Sequence, residues 1–301
     1  MHRINRLKNL LTKWLWKFKL AFFHSGTTTV QPEDISIVVV GRNDNYGGDF
    51  SLRLQTTIDW NLKQLPGAEL IYIEWNKIAE KESDCLWIEK RYPGSKCFIV
   101  PNSVHNTICK NPKMHVMEYF AKNLAIRKAS KNWILMINAD CFLGADVTRN
   151  IHKLNEKFVY GTHYVSIKWD GKPIAAYHMK NVMNQVVSFP ADSKLLSVVG
   201  NFILTHRKNW LAATGYDEQL NNVRAGVDTN GLQQLLQLGL QTMVLGHHYH
   251  LDHPESIIHG PNQTHGTHTF NNVPYKNPEN WGMNTHPLTQ LSERIWQVEE
   301  I

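Results

Sequence analysis

Apolar runs alternate with segments of helical periodicity through the first half of the chain. Short uninterrupted runs of β-branched and other apolar residues predict buried strands at residues 35–40, 70–73, 97–100 and 133–137. Apolar residues spaced three and four apart predict helices between these strands, at residues 50–65, 84–90 and 114–129. Strands that alternate with helices are typical of βαβ units, so this half predicts a mostly parallel sheet with helices on both faces.

The pattern changes after Cys141, where predicted strands cluster. Two antiparallel strands are predicted at residues 158–168 and 173–178, and further strands at 195–204 and 242–245. An amphipathic helix at 227–238 ends at Gly239, and a polar tail with several prolines closes the chain. We therefore expect an α/β fold with a Rossmann-like, mostly parallel central sheet and a small antiparallel portion, in one domain over residues 34–301.

Polar residues follow three of the predicted parallel strands. The three segments are Arg42-Asn43-Asp44, Glu74-Trp75-Asn76 and Asn138-Ala139-Asp140. The carboxyl ends of parallel strands meet at one edge of a sheet, where ligands commonly bind. Carboxylates and amides at this edge can bind ribose hydroxyls and base edges, and Trp75 could offer a stacking face. The alternative is that polar residues follow strands simply because they suit turns.

Asp140 is the carboxylate that stands at the end of the strand predicted at 133–137. An isolated carboxylate in this position is a plausible ligand for a hard divalent cation that also touches phosphate. Neither G-x-G-x-x-G nor G-x-x-x-x-G-K-[ST] occurs, and Asn45-Tyr46-Gly47-Gly48 does not match the dinucleotide spacing. A Rossmann oxidoreductase and a P-loop enzyme are therefore disfavoured.

Histidines are concentrated late in the chain, between residues 247 and 268. Imidazole is the commonest neutral metal ligand in proteins. His250 and His253 are the best placed, because they lie at the end of a predicted strand with Asp252 between them. We expect one of these two to bind metal. Solvated loop side chains are expected for the later histidines, which are His259, His265 and His268.

Three carboxylates of the second half also occupy suggestive positions. Asp217 and Glu218 follow a predicted turn, and Asp228 opens the helix predicted at 227–238. Asp228 either caps that helix or acts as a general base towards a hydroxyl group. The sequence leaves both interpretations open.

The net charge of +6 comes from one segment, residues 1–24. Six of the 32 basic residues lie there and no acidic residue does, so the remaining 26 basic residues balance the 26 acidic ones. A neutral remainder argues against a nucleic-acid-binding protein. Residues 1–24 also show an apolar stripe at helical spacing, so we expect a basic amphipathic helix on an anionic membrane surface, joined by a linker at 25–33. The alternative is a helix docked on the protein itself or on another subunit.

Composition and cysteine usage fit a soluble globular enzyme. Hydrophobic residues make up 42% of the chain and charged residues 19%. The four cysteines form no C-x-x-C pair, which argues against a structural zinc site and for a reducing compartment. We expect a cytoplasmic location, either free or peripheral on a membrane.

The order of these segments resembles that of GT-A-fold glycosyltransferases, and in detail the family 2 type. The resemblance covers roughly residues 34–285. It rests on ISIVVVGRND, EWN, EYFAKNLAIRKA, NAD in the place of a DxD motif, GNFIL, GYDE, VDTNGLQQLLQLG, YHLDH and NPENWG, in that order.

The resemblance implies a nucleotide-sugar donor, with UDP or GDP as the nucleotide, and Mn²⁺ or Mg²⁺ as the cofactor. It divides the domain into a nucleotide-binding half at about 34–145 and an acceptor-binding half at about 146–301. Asp140 would bind the metal together with His250 or His253, and Asp228 would be the catalytic base of an inverting reaction. The donor contacts would be Arg42, Asp44, Glu74, Asn76, Lys122, Asn123, Asn138 and Asp140.

The resemblance extends to the acceptor side, and the chain departs from the family pattern at one position. Asn201, Asp217, Glu218 and Trp281 would contact the acceptor, a glycan or glycolipid, or close the site. Asn138 stands where the first acid of a DxD motif would be, and an amide is a weaker metal ligand than a carboxylate. This departure keeps two alternatives open: a nucleotidyltransferase of similar fold and a non-catalytic nucleotide-sugar-binding protein.

Overall fold

A computed structural model describes residues 29–171, 186–188, 200–223, 226–256 and 275–301. The amphipathic helix predicted at 1–24, the strand predicted at 173–178 and the histidines at 259, 265 and 268 lie outside the described residues. Among the described residues, no helix combines the length and the apolar character needed to cross a membrane.

The first half consists of alternating strands and helices, as predicted. The strands are β1 (Ile35–Gly41), β2 (Glu69–Lys77), β3 (Ser95–Pro101) and β4 (Trp133–Ile137), and the helices are α1 (Phe50–Gln64), α2 (Asp84–Arg91), α3 (Asn102–Ile108) and α4 (Glu118–Lys128). Strand β2 continues four residues beyond its predicted end, so Glu74, Trp75 and Asn76 belong to the strand. Helix α4 starts at Glu118, four residues later than predicted.

The second half contains seven strands and three α-helices in its described part. The strands are β5 (Cys141–Leu143), β6 (Phe158–Ile167), β7 (Val186–Ser188), β8 (Phe202–His206), β9 (Gln241–Leu251), β10 (Leu288–Gln290) and β11 (Ile295–Val298). The helices are α5 (Ala145–Asn150), α6 (Arg207–Ala213) and α7 (Val227–Gln237). Strand β9 is far longer than the four residues predicted for it, and it contains His247, His248 and His250.

One mixed sheet carries all these strands, in the order β10-β11-β3-β2-β1-β4-β8-β6-β9-β5, with β7 paired to β6. Strands β11, β3, β2, β1 and β4 are parallel to their neighbours in that series, and β8 pairs antiparallel with β4. The predicted polar tail thus contributes β11 to the parallel part of the sheet, where Ile295 pairs with Cys97.

Strand β4 is uninterruptedly apolar because both of its faces are covered. Trp133, Leu135 and Ile137 pack into the core on the side of α1 and α2, whereas Ile134 and Met136 pack into the core on the side of α4, α6 and α7. A strand buried on both faces needs apolar residues at every position. This burial fixes the position of β4 and of the Asn138–Asp140 segment that follows it.

Candidate active site

A cavity of about 680 Å³ opens at the carboxyl ends of β1 and β4. Most of its lining comes from six segments that are distant in sequence, residues 40–46, 113–120, 138–140, 200–201, 226–228 and 250–256, and Phe50, Tyr164, Leu220 and Val223 complete it. The sheet register explains the convergence, because β1 lies directly between β2 and β4 and runs parallel to both. Two of the three predicted polar segments, 42–44 and 138–140, therefore meet at this edge.

Asp140, His250 and His253 converge on one wall of the cavity. Their nearest ligand atoms all lie within 4.8 Å of one another. His253 Nε2 is 3.2 Å from Asp140 Oδ2, and His250 Nε2 is 3.5 Å from the same oxygen. Strand β9 pairs antiparallel with β5, which places His250 opposite Cys141 and next to Asp140. Both of the predicted histidines, not one alone, reach the carboxylate.

Neighbouring groups orient these three side chains. Ser166 Oγ lies 3.1 Å from His250 Nδ1, and the Tyr46 ring meets the His253 ring edge-on at 5.0 Å between centroids. Burial alone would raise the pKa of Asp140, but the charge of His250 and hydrogen bonds from both histidines hold that pKa well below its usual range. An ionised carboxylate with two convergent imidazole nitrogens fits a divalent metal ion.

Asp228 also lines the cavity, in the first turn of α7. Gly226, with φ 89°, is the N-cap residue of that helix, so the interpretation of Asp228 as the N-cap is wrong. Burial raises the pKa of Asp228 above the ordinary value for an aspartate. A partly exposed carboxylate with a raised pKa has the properties of a general base for a hydroxyl group.

Arg42 and Asp44 line the cavity as an ion pair, with Nη1 2.8 Å from Oδ2. Arg42 Nε also donates to the carbonyl of Asn76 at 2.9 Å. Asn76 itself is buried behind Arg42, and its Nδ2 donates to the His115 carbonyl at 2.9 Å. Arg42 and Asp44 thus reach the cavity, whereas Asn76 supports the wall from behind.

Glu74 and Trp75 lie inside the protein and do not line the cavity. Glu74 is fully buried and accepts hydrogen bonds from the Ser83 hydroxyl and, at 3.2 Å, from the Asp84 backbone amide, so it fixes the start of α2. Trp75 is also fully buried and donates from Nε1 to His105 Nδ1 at 2.9 Å. The expectation that Trp75 offers a stacking face is therefore wrong. Both faces of β2 are covered, so a side chain on either face of this strand is buried.

Lys122 sits beneath the cavity wall. Its side chain is 1% exposed, and Nζ lies 2.5 Å from Glu118 Oε1 and 3.0 Å from the Gly200 carbonyl oxygen. Glu118 lines the cavity with 32% of its side chain exposed, beside Asn138 and Asn201. Sequence reasoning missed Glu118. The signal for it was its position four residues before Lys122 on the same helix face.

Asn123, Glu218 and Trp281 form a buried network on the far side of α4. Asn123 Nδ2 donates to the Tyr216 carbonyl at 2.8 Å and to Glu218 Oε1 at 2.9 Å, and Glu218 Oε1 also accepts from the Gly282 amide at 2.8 Å. Trp281 is buried under the Arg127 guanidinium, 4.1 Å from the ring centroid. These residues and the neighbouring Asp217 lie outside the cavity lining.

Comparisons with known proteins point to a fold. No protein-family model and no curated protein sequence matches this chain. Among solved structures, GalNAc-T7 with UDP, GalNAc and Mn²⁺ matches with a TM-score of 0.51 at 16% identity, over 76% of this chain and 45% of that one. A mannosyltransferase from Pyrobaculum calidifontis in complex with GDP-Man and Mn²⁺ matches with a TM-score of 0.47 at 14% identity, over 80% and 63%.

TarS from S. aureus, residues 1–349, matches with a TM-score of 0.45 at 13% identity, over 72% of this chain and 60% of that one. The chain thus spans less than two thirds of the length of each of these three structures. The family 2 type stays a prediction. The described part of the chain has a GT-A-type fold, the fold of glycosyltransferases such as GalNAc-T7.

Proposed function

We propose that this protein is a metal-dependent glycosyltransferase, which moves a sugar from a nucleotide-sugar donor to an acceptor hydroxyl group. One observation carries the proposal. In a GT-A-type fold, a carboxylate and two imidazoles fit for a metal converge on one wall of a cavity, and a desolvated carboxylate lines the same cavity on another wall. A metal ion held by the first group would bind a diphosphate, and the second group would accept the proton of a hydroxyl group.

Asp140, His250 and His253 would hold a divalent metal ion. When bound, the ion supplies Lewis-acid stabilisation of the negative charge on a diphosphate leaving group. The donor set contains two nitrogens and one carboxylate, whereas Mg²⁺ prefers an all-oxygen octahedral shell. We therefore favour Mn²⁺ as the physiological ion.

The remaining residues of the cavity bind and orient the substrates. Arg42 and Asp44, at the end of β1, would contact the nucleotide of a UDP- or GDP-sugar donor. Asp228 accepts the proton of the acceptor hydroxyl as that oxygen attacks the anomeric carbon, and the bond to the diphosphate breaks on the opposite side. Direct displacement of this kind inverts the anomeric configuration. A glycan or glycolipid is the acceptor class that we propose.

Thermal unfolding in the presence of candidate donors tests this function. We expect UDP, UDP-GalNAc, GDP or GDP-mannose to raise the unfolding midpoint only when Mn²⁺ is present, because a ligand at 100 times its Kd stabilises by about 2.7 kcal/mol. The Asp140→Ala variant should lose this shift. Full donor-dependent stabilisation of Asp140→Ala, or stabilisation of the wild type without metal, would contradict the proposal.

Turnover separates the enzyme from the two alternatives. Release of UDP or GDP from the bound donor indicates a glycosyltransferase, which transfers the sugar to water when no acceptor is present. Release of pyrophosphate from a nucleoside triphosphate and a sugar phosphate indicates a nucleotidyltransferase. Donor binding without either release would indicate a non-catalytic binding protein.

A further inference from the structure

Glu118 is a carboxylate that lines the same cavity as the metal-ligand group and Asp228. The Asn138 side chain lies 3.0 Å from Glu118 Oε1 and 3.0 Å from the Gly200 carbonyl oxygen, and Asn138 is two residues before Asp140. Gly200 in turn lies close to Asp228, since a Cβ on it would come within 2.8 Å of Asp228 Oδ2. Glu118 is thus linked through Asn138 and Gly200 to the neighbourhood of both Asp140 and Asp228.

The position of the Glu118 carboxylate is fixed by a buried partner, Lys122, and a half-buried one, Asn138. Lys122 Nζ, on a side chain 1% exposed, lies 2.5 Å from Glu118 Oε1. The Asn138 amide contacts the same atom, Glu118 Oε1. Within the described part of the chain, Oε2 accepts no hydrogen bond, and the side chain is 32% exposed to the cavity. A fixed carboxylate with one free oxygen is a ready acceptor for a hydroxyl proton.

The same geometry explains why residue 138 is an amide. The Asn138 atom that faces Glu118 Oε1 and the Gly200 carbonyl has two acceptors at 3.0 Å, which favours the donor nitrogen at that position. The Asn138 oxygen then faces Asn201 at 2.8 Å, and the Asn201 amide has to turn with it so that its nitrogen donates. An aspartate at position 138 would bring a second carboxylate against Glu118, and two like charges at such a distance cannot both stay ionised without cost.

We propose that Glu118 is a sugar-binding residue: its free carboxylate oxygen accepts a hydrogen bond from a hydroxyl of the transferred sugar, and Asn138 is an amide in order to donate to it. The proposal rests on the proposed glycosyltransferase function. In this proposal Glu118, on helix α4, supplies the carboxylate that a DxD motif would carry at position 138, at the end of the strand. Asn138 is thereby a positioning residue for Glu118 and need not contact the donor.

A charge-exchange experiment tests the pairing without any substrate. Asn138→Asp should lower the thermal unfolding midpoint by about 3 °C or more, the shift expected for roughly 1 kcal/mol in a chain of this size. The same substitution made in the Glu118→Gln background should cause no such loss, because the opposing charge is gone. Equal losses in both backgrounds would overturn the pairing.

Binding measurements test the role in sugar recognition. With Mn²⁺ present, Glu118→Gln should weaken the binding of UDP-GalNAc or GDP-mannose, whichever binds the wild type, by about 10-fold, the effect of one hydrogen bond to a charged group. Binding of the corresponding nucleoside diphosphate, UDP or GDP, should stay unchanged. Glu80→Gln, at an exposed position outside the cavity, is the matched control.

The outcomes distinguish this proposal from the proposed function. Equal weakening of the nucleotide and of the nucleotide sugar, or weakening of neither, would overturn the sugar-binding role while donor binding by the wild type still supports a glycosyltransferase. A wild type that binds no nucleotide or nucleotide sugar would overturn both. The charge-exchange result would then still decide whether Glu118 and Asn138 are paired.

Discussion

At the scale of single residues, burial and partner atoms separate the groups that face the cavity from those that support it. Asp140 and Asp228 are both carboxylates in a largely desolvated cavity, yet their pKa values shift in opposite directions. Two imidazoles face Asp140, whereas among the described residues backbone hydrogen bonds and the charge of Lys122 offset only part of the effect of burial on Asp228. The first carboxylate therefore suits a cation and the second suits a proton.

Asp228→Asn should abolish most of the transfer activity. Loss of a general base typically costs a factor of about 10² to 10⁴ in rate. Since burial raises the pKa of Asp228, the base becomes protonated at a higher pH than an ordinary aspartate does. The kcat/KM of the wild type should accordingly fall as the pH decreases through this raised pKa, and the fall measures the free enzyme.

The control for this substitution is Asp59→Asn, which removes a surface partner of Arg91 and should leave the pH profile unchanged. A wild-type profile whose acid limb lies at the ordinary aspartate pKa would contradict the assignment. So would an Asp228→Asn variant with full kcat.

His253→Ala should weaken Mn²⁺ binding by at least about 100-fold. Loss of a residue that only hydrogen-bonds to a metal ligand already weakens metal binding by about 10- to 100-fold. Calorimetric titration of the protein with MnCl₂ and with MgCl₂ measures this, and we expect the wild type to prefer Mn²⁺. His152→Ala, at an exposed position, should bind Mn²⁺ like the wild type. Preference for Mg²⁺, or an unchanged affinity in His253→Ala, would refute the ligand set.

At the scale of secondary-structure elements, the back of α4 joins two segments that sequence reasoning had assigned to the acceptor side. From one segment, the Tyr216 carbonyl and Glu218 accept hydrogen bonds from Asn123 of α4. From the other, Trp281 packs under Arg127 of α4, and the Gly282 amide donates to Glu218. Gly215 is required here, because it has φ +73° and a Cβ on it would come within 2.3 Å of Asn123 Oδ1. These segments hold the elements together behind the cavity.

Asn123→Ala should therefore reduce stability far more than it reduces substrate affinity. The Asn123 amide makes three buried hydrogen bonds, to the Tyr216 amide and carbonyl and to Glu218. Leaving such groups unpaired costs about 1–3 kcal/mol each, so we expect a loss of about 3 kcal/mol or more in the free energy of unfolding. Denaturant titration measures it, and Asn106→Ala on the exposed face of α3 is the control.

A destabilisation of Asn123→Ala within experimental error of Asn106→Ala would show that the network contributes little. A donor affinity that falls without any loss of stability would instead favour a direct donor contact for Asn123, as the family resemblance implies.

At the scale of the whole molecule, charge is concentrated in one terminal segment. Residues 1–24 hold the entire net excess of six basic residues. The interpretation of this segment as a membrane-binding helix stays a prediction, because it lies outside the described residues. A glycolipid acceptor would lie at such a surface, so membrane binding and transfer can be tested together.

Deletion of residues 1–24 should release the protein from liposomes that contain phosphatidylserine, since each basic residue near an anionic surface contributes about 1 kcal/mol. Cosedimentation measures binding, and neutral phosphatidylcholine liposomes are the control. Donor-dependent thermal stabilisation should be the same with and without the segment. Unchanged binding to the anionic liposomes would point to an internal or subunit contact for this helix.

The local pattern was sufficient to predict the parallel half of the fold and part of the site. A strand that is apolar at every position, as β4 is, must be buried on both faces, and a polar segment after it must lie at an open edge of the sheet. That reasoning predicted the four strands and the placement of Arg42, Asp44 and Asp140 in the cavity. The pairing of Asp140 with His250 and His253 came from the family resemblance, and the geometry places both histidines beside Asp140.

The tertiary structure alone decided which polar residues face the cavity and which are buried behind it. Glu74 and Asn123 are as polar as Glu118, but their hydrogen-bond partners lie inside the protein. Glu74 bonds to the start of α2, and Asn123 bonds to Tyr216. These partners lie up to 93 residues away in sequence, and no periodicity records such a distance. For the same reason, the role that we propose for Asn138 depends on Glu118, a carboxylate that a different element brings against it.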